Sequence, residues 1–233
     1  KEIEQSSIIL KADILGNIYL SDGAVIYKYD NQYNLTHRFS DFSLGKIHSL
    51  DVTNPMKILV FSKEMMRLTF LNNVLATQQS SYLLSDLELL QPICVSISYD
   101  NGFWIYDQIK DALFRFDSKE NIVSETKSIT NIVGYKVNPN QIQEIANKYV
   151  ILSDPQRGIF IFDILGTYLK TIPISDIQSF SVWKGDLILN MLNIETLDIS
   201  IYDLPITEVK EAIISGNFLI LLTYTGTVKI YTQ

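Results

Sequence analysis

Cysteine is almost missing from this 233-residue chain: Cys94, inside the apolar run PICVSIS, stands alone. One thiol excludes an intrachain disulfide framework and, with no His or Cys beside it, a zinc site. Histidine is nearly as scarce. His37 and His48 are the two present, and neither falls in an HxH, HExxH or DxDxDG spacing, so no metal-ligand set is legible and no cofactor is expected. The 10 glycines fall singly at turns, which leaves no Gly-rich loop to cradle a phosphate. There is no GxSxG elbow, and Cys94 has no evident base partner, so nucleophilic catalysis has no candidate. No apolar stretch reaches the roughly 18–20 residues needed to cross a bilayer. Charged residues make up only 19%, the formal net charge is -7 and no Lys/Arg run occurs. Such a field repels a phosphate backbone, so nucleic acid is not the expected partner.

What is present is strand. Hydrophobic residues make up 47% of the chain, ample for a large core. From Lys11 to Ser40 the sequence reads as four short strands: Lys11 to Ile14, GNIYLSD ending at Asp22, VIYKYD (Val25 to Asp30) and LTHRFS, separated by Gly, Asn and Asp turns. The second strand recurs as KILVFSK, GFWIYD, KYVILSD, DLILNM and NFLILLT. The third recurs as MMRLTF, ALFRFD, GIFIFD, DISIYD and TVKIYT. Fourth strands are more polar, NVLATQQ from Asn73 and NIVSET from Asn121 among them. Six copies fit a period of about 40 residues, the length of one propeller blade.

The fifth copy is compressed, with only LPITE between Asp203 and Val209. The last has no fourth strand, because the chain stops just after TVKIYT. At the other end EIEQSSI (Glu2 to Ile8) is a strand without a repeat of its own. The two defects cancel if the N-terminal segment completes the last sheet. The expected fold is therefore an all-β, six-bladed β-propeller of four-stranded antiparallel blades in one domain, 1–233, closed by its own N-terminus. Strands apolar on both faces disfavour the second choice, a two-sheet sandwich. Helix is expected only at Ser81 to Leu90, where Leu83, Leu84, Leu87 and Leu90 fall at helical spacing.

GNIYLSD followed by VIYKYD resembles the NHL and YWTD group of six-bladed propellers, whose second strand ends aromatic-x-x-Asp. Tyr19–Asp22 matches, and Trp104–Asp107 and Ile151–Asp154 match more loosely, while Lys63, Met191 and Thr223 depart from it. The resemblance implies a fold and a habit of binding proteins, peptides or sugars, not an activity.

Asp22, Asp30, Asp107, Asp117, Asp154, Asp163 and Asp203 recur at equivalent strand ends, so they read as turn-capping groups and not as paired acids and bases. Trp104 is mid-strand and reads as core; Trp183 stands at a strand end. Loops joining fourth to first strands, and second to third, emerge on one face of such a disc and are the natural carriers of binding residues. Two are long, Ser80 to Gln91 and Lys127 to Gln141. They follow consecutive blades, beside the turns DQIKD (Asp107 to Asp111) and DPQRG (Asp154 to Gly158). The expected binding surface is Tyr82, Lys110, Tyr135, Lys136, Gln156 and Arg157. Because Tyr and Arg are favoured at interfaces, the expected partner is a protein or peptide. The function expected is a non-enzymatic binding or scaffold propeller, monomeric. The chain opens KEIEQSS without an initiator Met, which is read as trimming or loss of a targeting segment and points to an extracytoplasmic place. The alternative is a channel-site hydrolase or lyase acting on a sugar or lactone through innermost-strand groups, His48, Asp51, Glu144 and Glu211.

Overall fold

A computed structural model of the chain describes residues 2–3, 5–78, 81–183, 186–191, 209–215 and 218–232. Strand β1 (Glu2–Ile3) opens the chain. Blade 1 follows as β2 (Ile9–Ala12), β3 (Ile18–Ser21), β4 (Val25–Tyr29) and β5 (Leu35–Ser40). Blade 2 is β6 (Ser49–Asp51), β7 (Ile58–Ser62), β8 (Arg67–Leu71) and β9 (Tyr82–Leu83). Blade 3 is β10 (Pro92–Ile97), β11 (Phe103–Asp107), β12 (Ala112–Phe116) and β13 (Ile122–Glu125). A short helix, α1 (Ile129–Val133), precedes blade 4, which is β14 (Gln141–Ile145), β15 (Tyr149–Asp154), β16 (Gly158–Asp163) and β17 (Tyr168–Ile172). A two-stranded sheet comes next, β18 (Ile177–Trp183) with β19 (Asp186–Met191). The closing blade is β20 (Val209–Ser215), β21 (Phe218–Thr223), β22 (Val228–Thr232) and, on its outside, β1.

Every pair is antiparallel and each blade is a meander, in the order expected. The N-terminal strand does complete the last sheet: Glu2 pairs with Lys229 and Ile3 with Val228. First strands touch in a closed cycle, β2 to β6, β10, β14, β18, β20 and back to β2, which defines a central axis and excludes the sandwich.

The blade count is corrected. Six four-stranded blades were expected, and among the described residues five are found, with a two-stranded sheet in the remaining place. Among the described residues the copy beginning at Ile177 supplies β18 and β19. Its expected third strand, DISIYD to Asp203, lies outside the described residues, as do LPITE and the side chain of Trp183.

The absence of in/out alternation has its cause in the packing. Each blade presents two apolar faces, and the core is a set of slabs between blades. In blade 3, Phe103 and Ile105 face blade 2, joining Phe61, Leu68 and Phe70, while Trp104 and Tyr106 face blade 4, joining Leu152, Phe160 and Phe162. Second strands are therefore buried on both sides, and IYLS, ILVFS and FWIYD carry no exposed position.

Two local expectations fail. The fourth strand of blade 2 is not NVLATQQ. Asn72 Oδ1 accepts from Val74 N and Ala76 N (3.0 and 2.9 Å), so Asn73 and Val74 form a turn, and β9 begins only at Tyr82. The helix expected at Ser81 to Leu90 is instead β9 and one 3-10 turn, Leu84–Leu87, ended by Glu88 at φ 59. Apolar spacing there serves a loop whose Leu84 and Leu89 are buried under the blade 2–3 slab. Close approach explains one glycine. A Cβ on Gly158 would sit 2.2 Å from Ile172 O, and its φ of +110 is in the glycine region, so the turn into β16 can lie flat on β17 only with glycine.

Candidate functional site

The 4–1 and 2–3 connections share one face of the disc, called upper here. Over blades 3 and 4 they are fixed by three aspartates. Asp107 ends β11 and accepts from Ile109 N and Lys110 N with Oδ1 (both 2.9 Å), and from Leu90 N and Gln91 N with Oδ2 (2.6 and 2.9 Å). Asp154, at the equivalent end of β15, accepts from Gln156 N and Arg157 N and, across the face, from Asn138 N at 2.6 Å. Asp111 receives Ser128 Oγ (2.5 Å), Thr130 N (2.8 Å) and the Tyr106 hydroxyl (3.0 Å). Burial works against its charge, but these hydrogen bonds hold its carboxyl below the usual range. Tyr106, by burial and by the Asp111 charge, is pushed well above the ordinary phenol. Each aspartate thus ties a 2–3 turn to the neighbouring 4–1 loop. The turn-capping reading of the periodic acids holds on the opposite face too: Asp30, Asp117 and Asp163 each accept from the amides two and four residues on. Asp154→Ala should lower stability by about 2 kcal/mol, since it strips three amides of a buried charged acceptor. Denaturant titration gives the loss, and amide exchange should speed up at both Asn138 and Arg157.

The six residues expected at the binding surface are placed unequally. Tyr135 and Arg157 come together: the guanidinium lies 4.9 Å from the ring centroid, and the ring leans on Phe160 at 6.3 Å. Arg157, Gln156 and Lys136 are exposed and Tyr135 is half-buried. Lys110 has its ammonium 5.1 Å above the Phe114 ring. Tyr82 is not on a loop. It sits in β9 with its ring 5.7 Å from Phe70 and 6.4 Å from Phe103, as part of the blade 2–3 slab.

A cavity of about 370 Å³ occupies the axis, lined by first-strand residues including Lys11, His48, Asp51, Gln141 and Glu211. The carboxylates named for an enzyme here are engaged in joining blades. Asp51 of blade 2 accepts from Ile97 N (2.8 Å) and Ser96 Oγ (2.9 Å) of blade 3. Glu144 of blade 4 accepts from Tyr99 N (3.0 Å), Ser98 Oγ (2.7 Å) and Trp104 Nε1 (2.7 Å) of blade 3. Glu211 of the closing blade accepts from Leu10 N (3.1 Å) and pairs with Lys11, both in blade 1. Neutral groups do the same elsewhere: the Gln141 amide brackets Phe180 N and O, and Ser181 Oγ donates to Ala212 O. Nothing in the apolar strand pattern announced these buckles, since every partner lies on another blade.

His48 precedes β6 at the upper mouth of the channel, edge-on to Phe61 with centroids 5.7 Å apart. Burial of that ring face first, then the Lys63 and Lys46 charges, lower its pKa from the ordinary 6.5; Glu64 opposes them. Cys94 is fully buried, its thiol pushed up to about 12 by desolvation and directed at Pro139 O. That excludes it as a nucleophile. Among the described residues no group of three His, Cys, Asp or Glu could hold a metal ion, and no helix is long and apolar enough to cross a membrane.

No protein-family model and no curated protein matches the chain. Solved structures do. Virginiamycin B lyase from Staphylococcus aureus is 12% identical, with a TM-score of 0.64 over 97% of this chain and 80% of that one. BBS1N in complex with ARL6DN is 14% identical, with a TM-score of 0.62 over 97% and 77%. The Neurospora crassa Pan2 WD40 domain is 9% identical, with a TM-score of 0.59 over 97% and 65%. At such identities the likeness carries architecture alone, and that architecture serves a lyase in one case and a complex with a protein in another. The chain is a β-propeller.

Proposed function

We propose that this propeller is a non-enzymatic binding module that takes a protein or peptide on its upper face over blades 3 and 4, as an extracytoplasmic monomer. The observation that carries the reading is the Arg157 guanidinium stacked on Tyr135, on loops held by the buried Asp154. Arg and Tyr are the residue types that dominate interface energies, and loops fixed before binding lose little freedom on binding. Lys110, Lys136 and Gln156 form the rim. The channel carboxylates, each committed to a neighbouring blade, favour this reading over a hydrolase or lyase at the axis. Aspartates capping the turns at Asp22, Asp107 and Asp154 support kinship with NHL and YWTD propellers.

The test uses the intact chain as bait with chemical crosslinking. A partner should be recovered, and Tyr135→Ala with Arg157→Ala should weaken it at least about tenfold, two contacts near 1 kcal/mol each sufficing. Binding unchanged in the double variant would mean the face is wrong. Turnover of a lactone or glycoside, abolished by His48→Ala, would restore the enzyme reading.

A further inference from the structure

A second cavity, of about 510 Å³, lies on the upper face at the shoulder between blades 2 and 3. Its lining brings together Lys46 from the β5–β6 loop, His48, and Lys63 from the β7–β8 turn, with Glu64 the one carboxylate among them. Elsewhere, cations set into the fold are engaged. Lys11 pairs with Glu211, Lys28 donates to Asn73 O, Lys57 to Asn101 O and Lys210 to Ile8 O, and Arg115 pairs with Asp100. Among the described residues, the side chains of Lys46, His48 and Lys63 make no hydrogen bond and no salt bridge. Desolvation against Phe61 first, and then the Lys63 and Lys46 charges, hold the His48 imidazole toward its neutral form. A net negative chain that keeps two lysine ammonium groups and an imidazole around one cavity leaves a place for an anion.

The walls say what the anion is attached to. Met66, Leu90, Gln91 and Pro92 complete the lining, and Leu90 is 55% exposed, fixed there by the hydrogen bond its backbone N–H donates to Asp107. Phe42, 93% exposed, and Met65, 45% exposed, belong to the same two loops that deliver Lys46 and Lys63. A free phosphate has no use for such a rim. A carboxylate on a peptide that also carries large apolar side chains fits both parts. We infer that the blade 2–3 shoulder is a docking pocket for an acidic peptide segment of a partner protein, with Lys46, Lys63 and His48 receiving an Asp or Glu carboxylate and the Phe42, Met65 and Leu90 rim receiving adjacent apolar residues. This rests on the reading of the upper face as the binding surface, and it adds the chemical class of the partner.

The probe is a phage-displayed library of random twelve-residue peptides selected on the intact protein. Selected sequences should be enriched in Asp or Glu next to Leu, Phe or Met. The most enriched one, synthesised, should bind at least about tenfold more weakly to Lys46→Ala with Lys63→Ala, and as weakly to wild type when its Asp and Glu are changed to Asn and Gln. Its binding should raise the His48 pKa, read from imidazole NMR shifts, because a carboxylate stabilises the protonated ring. Both lysines are off the core, so the variant folds, and an unchanged denaturation midpoint confirms it. Selection of basic or uncharged peptides, no selection at all, or indifference to the lysine pair overturns the pocket. If Tyr135→Ala with Arg157→Ala abolishes partner binding while the lysine pair does not, the binding face stands and the shoulder pocket alone falls.

Discussion

Glu144→Ala should destabilise the protein by about 3–5 kcal/mol, among the largest effects expected of any single substitution in the chain. The side chain is 7% exposed and receives three donors from blade 3, the Trp104 indole, the Ser98 hydroxyl and the Tyr99 amide. Removing the carboxylate leaves all three without an acceptor, two of them in fully enclosed side chains: Trp104 is 0% and Ser98 1% exposed. Ser98 Oγ is itself an acceptor for Arg115 Nε at 3.1 Å, so the loss propagates to a buried cation. Glu144→Gln is the discriminating companion. The amide keeps one acceptor oxygen but turns an NH2 group toward donors, so it should fall between wild type and alanine. Urea unfolding monitored by tryptophan fluorescence measures both, with Trp104 reporting on this seam directly. A loss below about 1 kcal/mol for the alanine variant would mean that the carboxylate does not join the blades.

The same residue shows what could and could not be read from the sequence. Glu144 was recognised as a polar group on an innermost strand, and that placement is right. Its role was not legible, because its partners lie 40 to 46 residues away, about one repeat period. Asp51 and Ile97 are separated by 46 residues, Cys94 and Pro139 by 45, Gln141 and Phe180 by 39. A ring of blades places such contacts about one period along the chain, except at the closing seam, where Glu211 meets Leu10 201 residues away. Strand patterning fixes the period but cannot say which polar side chain crosses the seam. The opposite holds for Asp107 and Asp154, whose partners include amides two and three residues on, and these were legible as caps. Second and third strands were readable because both faces are buried, which produces unbroken apolar runs. Outer strands were not. The fourth strand of blade 2 is two residues long, too short for an alternating pattern, so in sequence its Tyr82 reads as part of a loop. Helix α1 carried a real signal, Ser128 as N-cap accepting from Asn131 N and Gly134 at the C-terminal end with φ 86, but a helix of five residues shows no periodicity to draw attention to it. At the candidate site, Tyr135 and Arg157 were foreseen as neighbours on one face. The basic shoulder was not, since Lys46, His48 and Lys63 come from two loops and form no run in sequence.

Removing residues 1–7 should destabilise the protein by about 4 kcal/mol and promote its self-association. Ile3 is 8% exposed and belongs to a slab with Leu10, Ile18 and Leu20 of blade 1 and Ile220, Val228 and Ile230 of the closing blade. Burying such a side chain contributes about 1.5–3 kcal/mol, and each ladder bond lost with the strand adds about 1 kcal/mol. The strand pairing of Glu2 and Ile3 with Lys229 and Val228 goes, and so does Ser7 N to Gly226 O at 3.0 Å. Without β1, the outer edge of β22 offers unpaired amides and carbonyls beside an apolar face, which is a template for another copy. A synthetic peptide KEIEQSS added in excess should therefore restore part of the lost stability, because the groove it leaves is shaped for it. Thermal unfolding with and without the peptide, together with light scattering, separates the outcomes. A truncated chain with unchanged light scattering and an unchanged midpoint would show that the ring is held at its other seams alone. In that case the bonds of Leu10 N and Lys11 to Glu211 and of Lys210 to Ile8 O, with the apolar slab between the closing blade and blade 1, would carry the closure.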